Sequence, residues 1–277
     1  MLISTETLAQ HLNDPEWVAF DCRHDLGDHA AGERIYAESH VPGAYFANVE
    51  TDLSGPKSGI NGRHPLPTPV AFASYLQRCG VRPASTLVAY DDVGGQYAAR
   101  FWWLCRWIGL SGAVVLDGGW SKWCAEGRSV DAEVPVARAG DVTVRCDDSH
   151  WVPVDEVARM SSGGGGVLID ARAPERFRGE VEPIDRMAGH IPGARNRFFK
   201  LNLNEDLTMR PPAELRREFE ELLRGHGKTP MEVVHQCGSG ITACVNVLAM
   251  EYAGLAGSKL YPGSWSEWIA DDSRPLG

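Results

Sequence analysis

Positive charge is scarce in this chain: its 277 residues include 27 Lys and Arg against 37 Asp and Glu, a formal net charge of −10. Proteins that bind nucleic acid concentrate Lys and Arg on one face, so nucleic acid is not an expected partner. Long uninterrupted apolar runs are also missing, and the first residues do not combine a positive segment with a following apolar one. We therefore expect a cytoplasmic protein that has no membrane partner.

Paired cysteine motifs are absent as well. The seven cysteines are an odd number, and none stands in a Cys-x-x-Cys pair. This pattern disfavours both a disulfide framework and a zinc cage built from cysteines. We expect reduced thiols, six of which serve as small buried apolar side chains. These six are Cys22, Cys79, Cys105, Cys124, Cys146 and Cys244.

The sequence does contain an internal duplication. The segment His40-Val41-Pro42-Gly43-Ala44 recurs as His190-Ile191-Pro192-Gly193-Ala194, and Gly119-Trp120-Ser121-Lys122-Trp123 recurs as Ser264-Trp265-Ser266-Glu267-Trp268. The matching segments follow the same order in both halves, which predicts two similar domains in tandem. We place the first domain at 1–125, a polar linker at 126–150 and the second domain at 151–277.

Each half alternates short apolar runs with helical patterns. This alternation predicts an α/β fold in which each domain has a mainly parallel sheet with helices on both faces. Glycines follow the predicted helices, as is usual at a helix C-terminus. The predicted strands include 86–90, 167–169 and 232–235, and the predicted helices include 98–108, 241–253 and one that begins at Pro212.

The seventh cysteine stands in the loop Cys237-Gly238-Ser239-Gly240-Ile241-Thr242, directly after a predicted strand. Parallel sheets bind their ligands at this end of a strand. Gly238 and Gly240 allow close approach and a left-handed backbone, so that the loop N–H groups can surround an anion. The hydroxyls of Ser239 and Thr242 can add hydrogen bonds, and such a setting favours the nucleophilic thiolate. We predict that Cys237 is the reactive centre.

Two residues limit which domain can be catalytic and which reaction Cys237 can catalyse. Asp91 takes the place of Cys237 in the first repeat, and a carboxylate cannot carry sulfane sulfur, so we expect the first domain to be catalytically inactive. A cysteine phosphatase needs an arginine at the end of its Cys-x5-Arg loop to clamp the phosphoryl group. Ala243 occupies that position here, which argues against a phosphatase.

Through both His-[Val/Ile]-Pro-Gly-Ala elements, the Cys237 loop and both Trp-Ser-x-Trp endings, nearly the whole chain resembles the two-domain rhodanese sulfurtransferases. The loop Cys-Gly-Ser-Gly-Ile-Thr-Ala is similar to that of 3-mercaptopyruvate sulfurtransferases, whereas thiosulfate-using rhodaneses carry basic residues there. The resemblance implies transfer of sulfane sulfur from 3-mercaptopyruvate through a Cys237 persulfide, with release of pyruvate. Cyanide, a small thiol or a thioredoxin-like protein would accept the sulfur, and no metal or organic cofactor is implied.

Two alternatives stay open. One is thiosulfate:cyanide sulfurtransfer, because thiosulfate is the other common donor of this family. The other belongs to a different functional class, a catalytically silent sulfur-binding or interaction module. A preference between the two donors would separate the enzymatic alternatives, and absence of sulfur transfer would identify the silent module.

The resemblance also implies residue roles. Arg176, in the segment Arg176-Phe177-Arg178-Gly179, corresponds to an arginine that holds the donor carboxylate, and Arg186 is the nearest candidate for a second one. A Ser-His-acid relay would map onto Ser239, His64 and Glu50. The loop residues expected to line the substrate are Gly238, Gly240, Ile241 and Thr242. The remaining motif histidines, His40 and His190, are expected to be structural.

Overall fold

Residues 1–136, 139–225 and 227–277 are described by the computed structural model of the chain. The chain divides into two units. The first comprises Met1–Gly55, Leu66–Asp147 and Glu205–Met209, and the second comprises Pro56–Pro65, Asp148–Asn204 and Arg210–Gly277. The segment Pro56–Pro65 lies inside the sequence range of the first predicted domain, yet it is part of the second unit. His64 therefore belongs to the same unit as Cys237.

The first unit is an α/β unit. Its elements in chain order are β1 (Leu2–Ile3), α1 (Thr5–Gln10), β2 (Trp17–Asp21), α2 (Ala31–Glu38), β3 (Tyr45–Phe46), α3 (Pro69–Arg78), β4 (Thr86–Tyr90), α4 (Gln96–Trp107), β5 (Ala113–Leu116) and α5 (Gly119–Ala125). The strands form a parallel sheet in the order β1-β5-β4-β2-β3. The central strands β2 and β4 are apolar and largely buried, as expected for a parallel sheet that helices cover.

The second unit repeats this design. Its elements are α6 (Val154–Ser161), β6 (Val167–Asp170), α7 (Pro174–Phe177), β7 (Arg195–Asn196), α8 (Pro212–Arg224), β8 (Val233–Gln236), α9 (Ala243–Tyr252), β9 (Lys259–Leu260) and α10 (Ser264–Trp268), with short 3-10 turns at Asp148–His150, Phe199–Asn202 and Pro230–Glu232. The sheet is parallel in the order β7-β6-β8-β9. Trp151 forms a parallel bridge to Leu260, in the place that β1 takes beside β5.

A buried ion pair recurs at the same place in both units. Arg23 contacts Asp21 at 2.6 Å, and Arg172 contacts Asp170 at 2.7 Å. Each guanidinium also lies over a tryptophan ring, at 4.2 Å and 4.9 Å from the ring centroid. The repeated pair fixes the carboxyl end of a central strand, so that the following loops start from the same geometry in both units.

The two motif histidines are structural, as predicted. The Nδ1 atom of His40 lies 2.7 Å from the Tyr36 carbonyl oxygen, and the Nδ1 atom of His190 lies 2.8 Å from that of Phe177. Each imidazole stacks on the ring of the same partner at a centroid distance of 4.0 Å. These contacts hold the turn of each repeated motif against a neighbouring helix.

The polar segment 126–150 is not a free connector, apart from residues 137–138, which lie outside the described part of the chain. Its residues up to Asp147 belong to the first unit. Asp131 exchanges two backbone hydrogen bonds with His40, at 2.7 Å and 2.9 Å. Within the described residues, no helix is both long and apolar enough to cross a membrane.

The cysteines differ in part from the prediction. All seven are free, and Cys22, Cys79, Cys105 and Cys244 are buried as expected. Cys124 and Cys146 are exposed instead. The reason is their position, because Cys124 lies on the solvent side of α5, whose buried residue is Trp123, and Cys146 lies in the polar segment after it.

Candidate active site

Cys237 directly follows the central strand β8 and is 2% exposed. Its backbone N–H donates to the Ser264 hydroxyl at 3.1 Å, and its carbonyl accepts from the Trp265 N–H at 3.0 Å. The second Trp-Ser-x-Trp motif therefore anchors the reactive loop. Helix α9 begins at Ala243, two residues later than the predicted Ile241, because Ile241 and Thr242 form the turn that leads from the loop into the helix.

The two loop glycines are needed for different reasons. Gly240 has a φ of +76°, and a Cβ at this position would lie 2.3 Å from the Pro262 carbonyl oxygen. Gly238 is required by close approach alone, since a Cβ there would lie 2.8 Å from an Nη2 atom of Arg63 and 3.7 Å from that of Arg176. A side chain at either position would displace the surroundings of the sulfur.

The last loop residues join the loop to the helix. The Ile241 carbonyl accepts from the Cys244 N–H at 3.0 Å, and the Thr242 carbonyl accepts from the Val245 N–H at 3.1 Å. The Cys244 thiol donates to the Gly240 carbonyl at 3.3 Å. Cys244 thus supports the loop from inside the helix.

Ser239 and His64 meet as the relay prediction requires. The Ser239 hydroxyl oxygen lies 2.8 Å from the Nδ1 atom of His64. Both side chains are buried, at 5% and 2% exposure. A buried serine–imidazole pair can hold and pass a proton, and Ser239 stands two residues after Cys237.

A cluster of arginines and acids lies beside Gly238. Arg176 binds Glu182 through two hydrogen bonds, of 3.2 Å from Nε and 2.6 Å from Nη2, and it contacts Asp185 at 3.2 Å. Arg63 forms an ion pair with the other oxygen of Asp185. Asp185 therefore bridges two arginines that both face the loop. The sequence indicated Arg176 but gave no signal for Arg63, which stands directly before His64.

The pKa values of the two acids of this cluster shift in opposite directions. Burial raises the pKa of Glu182, but the hydrogen bond from Arg176 and two backbone N–H groups outweigh it, so the net pKa is below its ordinary value. Burial raises the pKa of Asp185, and the nearby Arg63 compensates only in part. The ionised form of Glu182, which binds Arg176, is thus stabilised by its surroundings. The ionised form of Asp185, which lies between the two arginines, is less stable than that of an exposed aspartate.

Two predicted site residues lie elsewhere. Arg186 does not join Arg176: its guanidinium donates to the Ile269 carbonyl and, at 2.6 Å, to Asp272, and its side chain is 52% exposed. The preceding residue, Asp185, takes the inward position instead. Glu50 belongs to the first unit, where its carboxylate faces two histidines. Its part in a relay stays a prediction.

The equivalent loop of the first unit is filled by its own anion. The Asp91 carboxylate accepts four backbone N–H groups, from Val93 and Gly95 on one oxygen and from Tyr97 and Ala98 on the other, at 2.8–3.0 Å. Burial raises the pKa of Asp91, and these hydrogen bonds oppose it. This loop shows how the fold surrounds an anion with amides, and it leaves no thiol for sulfur transfer.

Comparisons with known proteins place the chain. The sequence profile of the rhodanese-like domain matches residues 4–126 and again 153–271. Over 277 residues the chain is 45% identical to a Pseudomonas aeruginosa protein named "Probable 3-mercaptopyruvate sulfurtransferase", covering 99% of this chain and 97% of that protein. A Mycobacterium tuberculosis protein named "Putative thiosulfate sulfurtransferase SseB" is 39% identical over 251 residues, covering 90% of this chain and 87% of that protein.

A solved structure gives the same result. The 3-mercaptopyruvate sulfurtransferase from Leishmania major matches with a TM-score of 0.85 and 30% identity, covering 97% of this chain and 74% of that one. Duplicated α/β units with a cysteine at the end of a central strand define the class. The chain belongs to the rhodanese family and contains two rhodanese-like domains, which confirms the predicted resemblance and fold class.

Proposed function

We propose that this protein is a sulfurtransferase that takes sulfane sulfur from 3-mercaptopyruvate onto Cys237 as a persulfide and passes it to a nucleophilic acceptor. The observation that carries the proposal is a separation of charge from sulfur. The loop from Cys237 to Thr242 contains no Lys or Arg, while the cations lie at its side, next to Gly238. Mercaptopyruvate has the same separation between its carboxylate and its thiol.

The chemical step balances without a cofactor. The Cys237 thiolate attacks the donor thiol sulfur, so that a sulfur–sulfur bond forms and the carbon–sulfur bond breaks. The electron pair of the broken bond leaves with the carbon as pyruvate enolate. The proton that the donor thiol carried passes to the enolate carbon, which leaves pyruvate and the persulfide anion. The loop amides then stabilise that anion.

The other residues orient the donor and move the proton. Arg176 and Arg63 hold the donor carboxylate, which competes with Asp185 for them. The Ser239 hydroxyl, backed by His64, hydrogen-bonds the donor carbonyl as it becomes an enolate oxygen. The buried 2.8 Å contact of Ser239 with His64 and the two arginines beside the loop support these proposed roles.

The acceptor completes the cycle. A nucleophile such as cyanide, a small thiol or a thioredoxin-like protein attacks the outer sulfur of the persulfide, and the Cys237 thiolate returns as the leaving group. Residues Cys124 and Cys146, although exposed, have no part in this route.

Thiosulfate is the second candidate donor, and Arg63 is the observation that favours it. With Arg176 it places two cations beside the loop, and two cations suit a dianion. Asp185 and Glu182, however, offset both charges. Because the two arginines and the two acids carry no net charge together, we expect the site to bind the singly charged mercaptopyruvate better than the doubly charged thiosulfate.

Steady-state kinetics test the proposal. We expect wild type to release pyruvate from 3-mercaptopyruvate, with a small thiol as acceptor, at a higher kcat/KM than it forms thiocyanate from thiosulfate and cyanide. Arg176→Gln should lower kcat/KM for mercaptopyruvate by about 10- to 100-fold, as loss of a charged hydrogen bond does. Arg178→Gln is the matched control, because Arg178 is exposed and forms its ion pair with Glu180, outside the cluster beside Gly238. A preference for thiosulfate would reject the donor, and no turnover with either would indicate the silent module.

A further inference from the structure

Two histidines and a glutamate meet in the first unit. The Nε2 atom of His24 lies 3.6 Å from Oε1 of Glu50, and the Nε2 atom of His29 lies 3.9 Å from the same oxygen. One ligand atom from each residue lies within 4.8 Å of the other two. The His24 side chain is buried and that of Glu50 is half-buried, at 2% and 14% exposure, while His29 is 55% exposed and closes the group from the solvent side.

The position of this cluster is one where α/β units bind ligands. His24 follows the end of strand β2 and Glu50 follows the end of strand β3, so both come from the carboxyl edge of the parallel sheet. The Tyr97 ring packs edge-on against His24 at 5.2 Å, which fixes the orientation of the imidazole. Residue Asp91, which replaces the reactive cysteine, lies at the end of the neighbouring strand β4.

The three side chains offer the ligand atoms of a known type of metal site. Two imidazole nitrogens and one carboxylate oxygen are a ligand set of three-protein-ligand Zn²⁺ sites, which leave the fourth position to water or another ligand. Bonds of 2.0–2.1 Å in a tetrahedron place the ligand atoms about 3.3 Å apart. The two N···O spacings are 3.6 Å and 3.9 Å, and all three ligand atoms lie within 4.8 Å of one another. Side-chain movements on the order of 1 Å would bring them to the tetrahedral value. We propose that His24, His29 and Glu50 bind a divalent transition-metal ion of the Zn²⁺ class.

The surroundings favour a cation. Four carboxylates act electrostatically on the Tyr97 ring that packs against His24, those of Asp91, Asp25, Asp92 and Glu50. Carboxylates on several sides of one ring create a negative potential at the same edge of the sheet, which attracts a positive ion. The nearby cation Arg23 is offset by its own buried partner, Asp21.

The second repeat provides an internal comparison. When the repeats are aligned on Asp21 and Asp170, and on His40 and His190, the three ligand positions become non-ligands. His24, His29 and Glu50 correspond to Ala173, Arg178 and Lys200. An alanine and two cations cannot hold a metal ion, so the duplication alone does not explain the cluster. The three ligand residues are therefore particular to the first of the two repeats.

Metal binding can be measured without any assay of activity. The protein should be stripped with a chelator in a Cys237→Ser background, to remove the reactive thiolate, and titrated with Zn²⁺ by competition with a chromophoric chelator. We expect one equivalent to bind. His29→Ala should lower the affinity for Zn²⁺ by at least about tenfold. Mutation of a residue that only hydrogen-bonds to a metal ligand already lowers metal affinity by about 10- to 100-fold. Co²⁺ should bind with a visible spectrum free of a sulfur-to-metal charge-transfer band.

A matched control separates this site from general histidine binding. His11 belongs to the same unit and also faces a carboxylate, that of Asp14 at 3.5 Å. This pair offers one imidazole and one carboxylate, whereas the proposed site offers two imidazoles and one carboxylate. His11→Ala should therefore keep the full affinity. Zn²⁺ should also raise the Tm of the background protein and of His11→Ala but not of His29→Ala. Equal affinities in His29→Ala and His11→Ala, no bound equivalent, or a thiolate spectrum with Co²⁺ would each overturn the proposal.

Discussion

At the scale of single residues, the seven cysteines differ in their surroundings. Burial raises the pKa of Cys22 and Cys105 well above the ordinary value, and raises that of Cys79 to about 12. These thiols stay protonated and pack as small apolar groups. Cys237 is also buried, but it begins a loop that contains Ser239 and lies beside Arg63 and Arg176. The backbone N–H groups of such a loop can stabilise an anionic sulfur.

Asp185 lowers the net positive charge beside Gly238, where we propose that the sulfur donor binds. A change at this residue therefore tests the preference between donors. Asp185→Asn removes one negative charge between Arg63 and Arg176. A dianion gains more from this change than a monoanion does. We expect kcat/KM for thiosulfate to rise about tenfold relative to that for 3-mercaptopyruvate, the effect of one extra unit charge at about 5 Å in an intermediate dielectric.

Asp272→Asn is the control for this variant. It removes the same charge in the same unit, but Asp272 is 88% exposed and pairs with Arg186. The ratio of the two kcat/KM values should not change in this control. An unchanged ratio in Asp185→Asn as well would contradict the role given to Asp185.

At the scale of secondary structure, the sequence predicted the elements that carry Cys237 and missed the segment that completes its surroundings. Apolar runs identified β4, β6 and β8 to within a residue or two, because these strands are buried on both faces. The segment Pro56–Pro65 has no regular structure and joins the second unit through long-range contacts. Local patterns cannot reveal such contacts, and Arg63 was missed for this reason.

A buried histidine on strand β8 gives a prediction about stability in acid. His235 is fully buried on this strand, with its Nε2 atom 3.1 Å from the Met250 sulfur. Burial, with Arg197 as a second cause, lowers the pKa of His235 from 6.5 to about 3. Between these values the unfolded chain binds a proton that the folded protein does not bind. The free energy of unfolding therefore falls as the pH falls, by about 2 kcal/mol by pH 5.

We expect His235→Leu to remove this loss, because leucine does not titrate. Urea unfolding at pH 7 and pH 5 should show a drop in wild type about 2 kcal/mol larger than in the variant. His11→Leu, which changes a histidine that is 37% exposed, should keep the drop of wild type. Equal drops in wild type and His235→Leu would show that another group causes the acid sensitivity.

At the scale of the whole molecule, the duplication made the fold predictable. Repeated motifs predicted two parallel α/β domains, and the rhodanese-like profile matches both halves. The substrate side was less predictable. The sequence indicated Arg186, but in the structure it binds the C-terminal segment, and its neighbour Asp185 turns inward. A shift of one residue in a short irregular segment changes the charge of the site, and periodicity carries no information about it.

The central claim is that Cys237 carries sulfur. Intact-mass spectrometry after incubation with 3-mercaptopyruvate, without acceptor, tests it most directly. Wild type and Cys244→Ser, a control that changes a buried thiol in the following helix, should each gain the mass of one sulfur atom, and cyanide should remove it. Cys237→Ser should keep its original mass. An added sulfur on Cys237→Ser, or none on wild type with this donor or with thiosulfate, would contradict the claim.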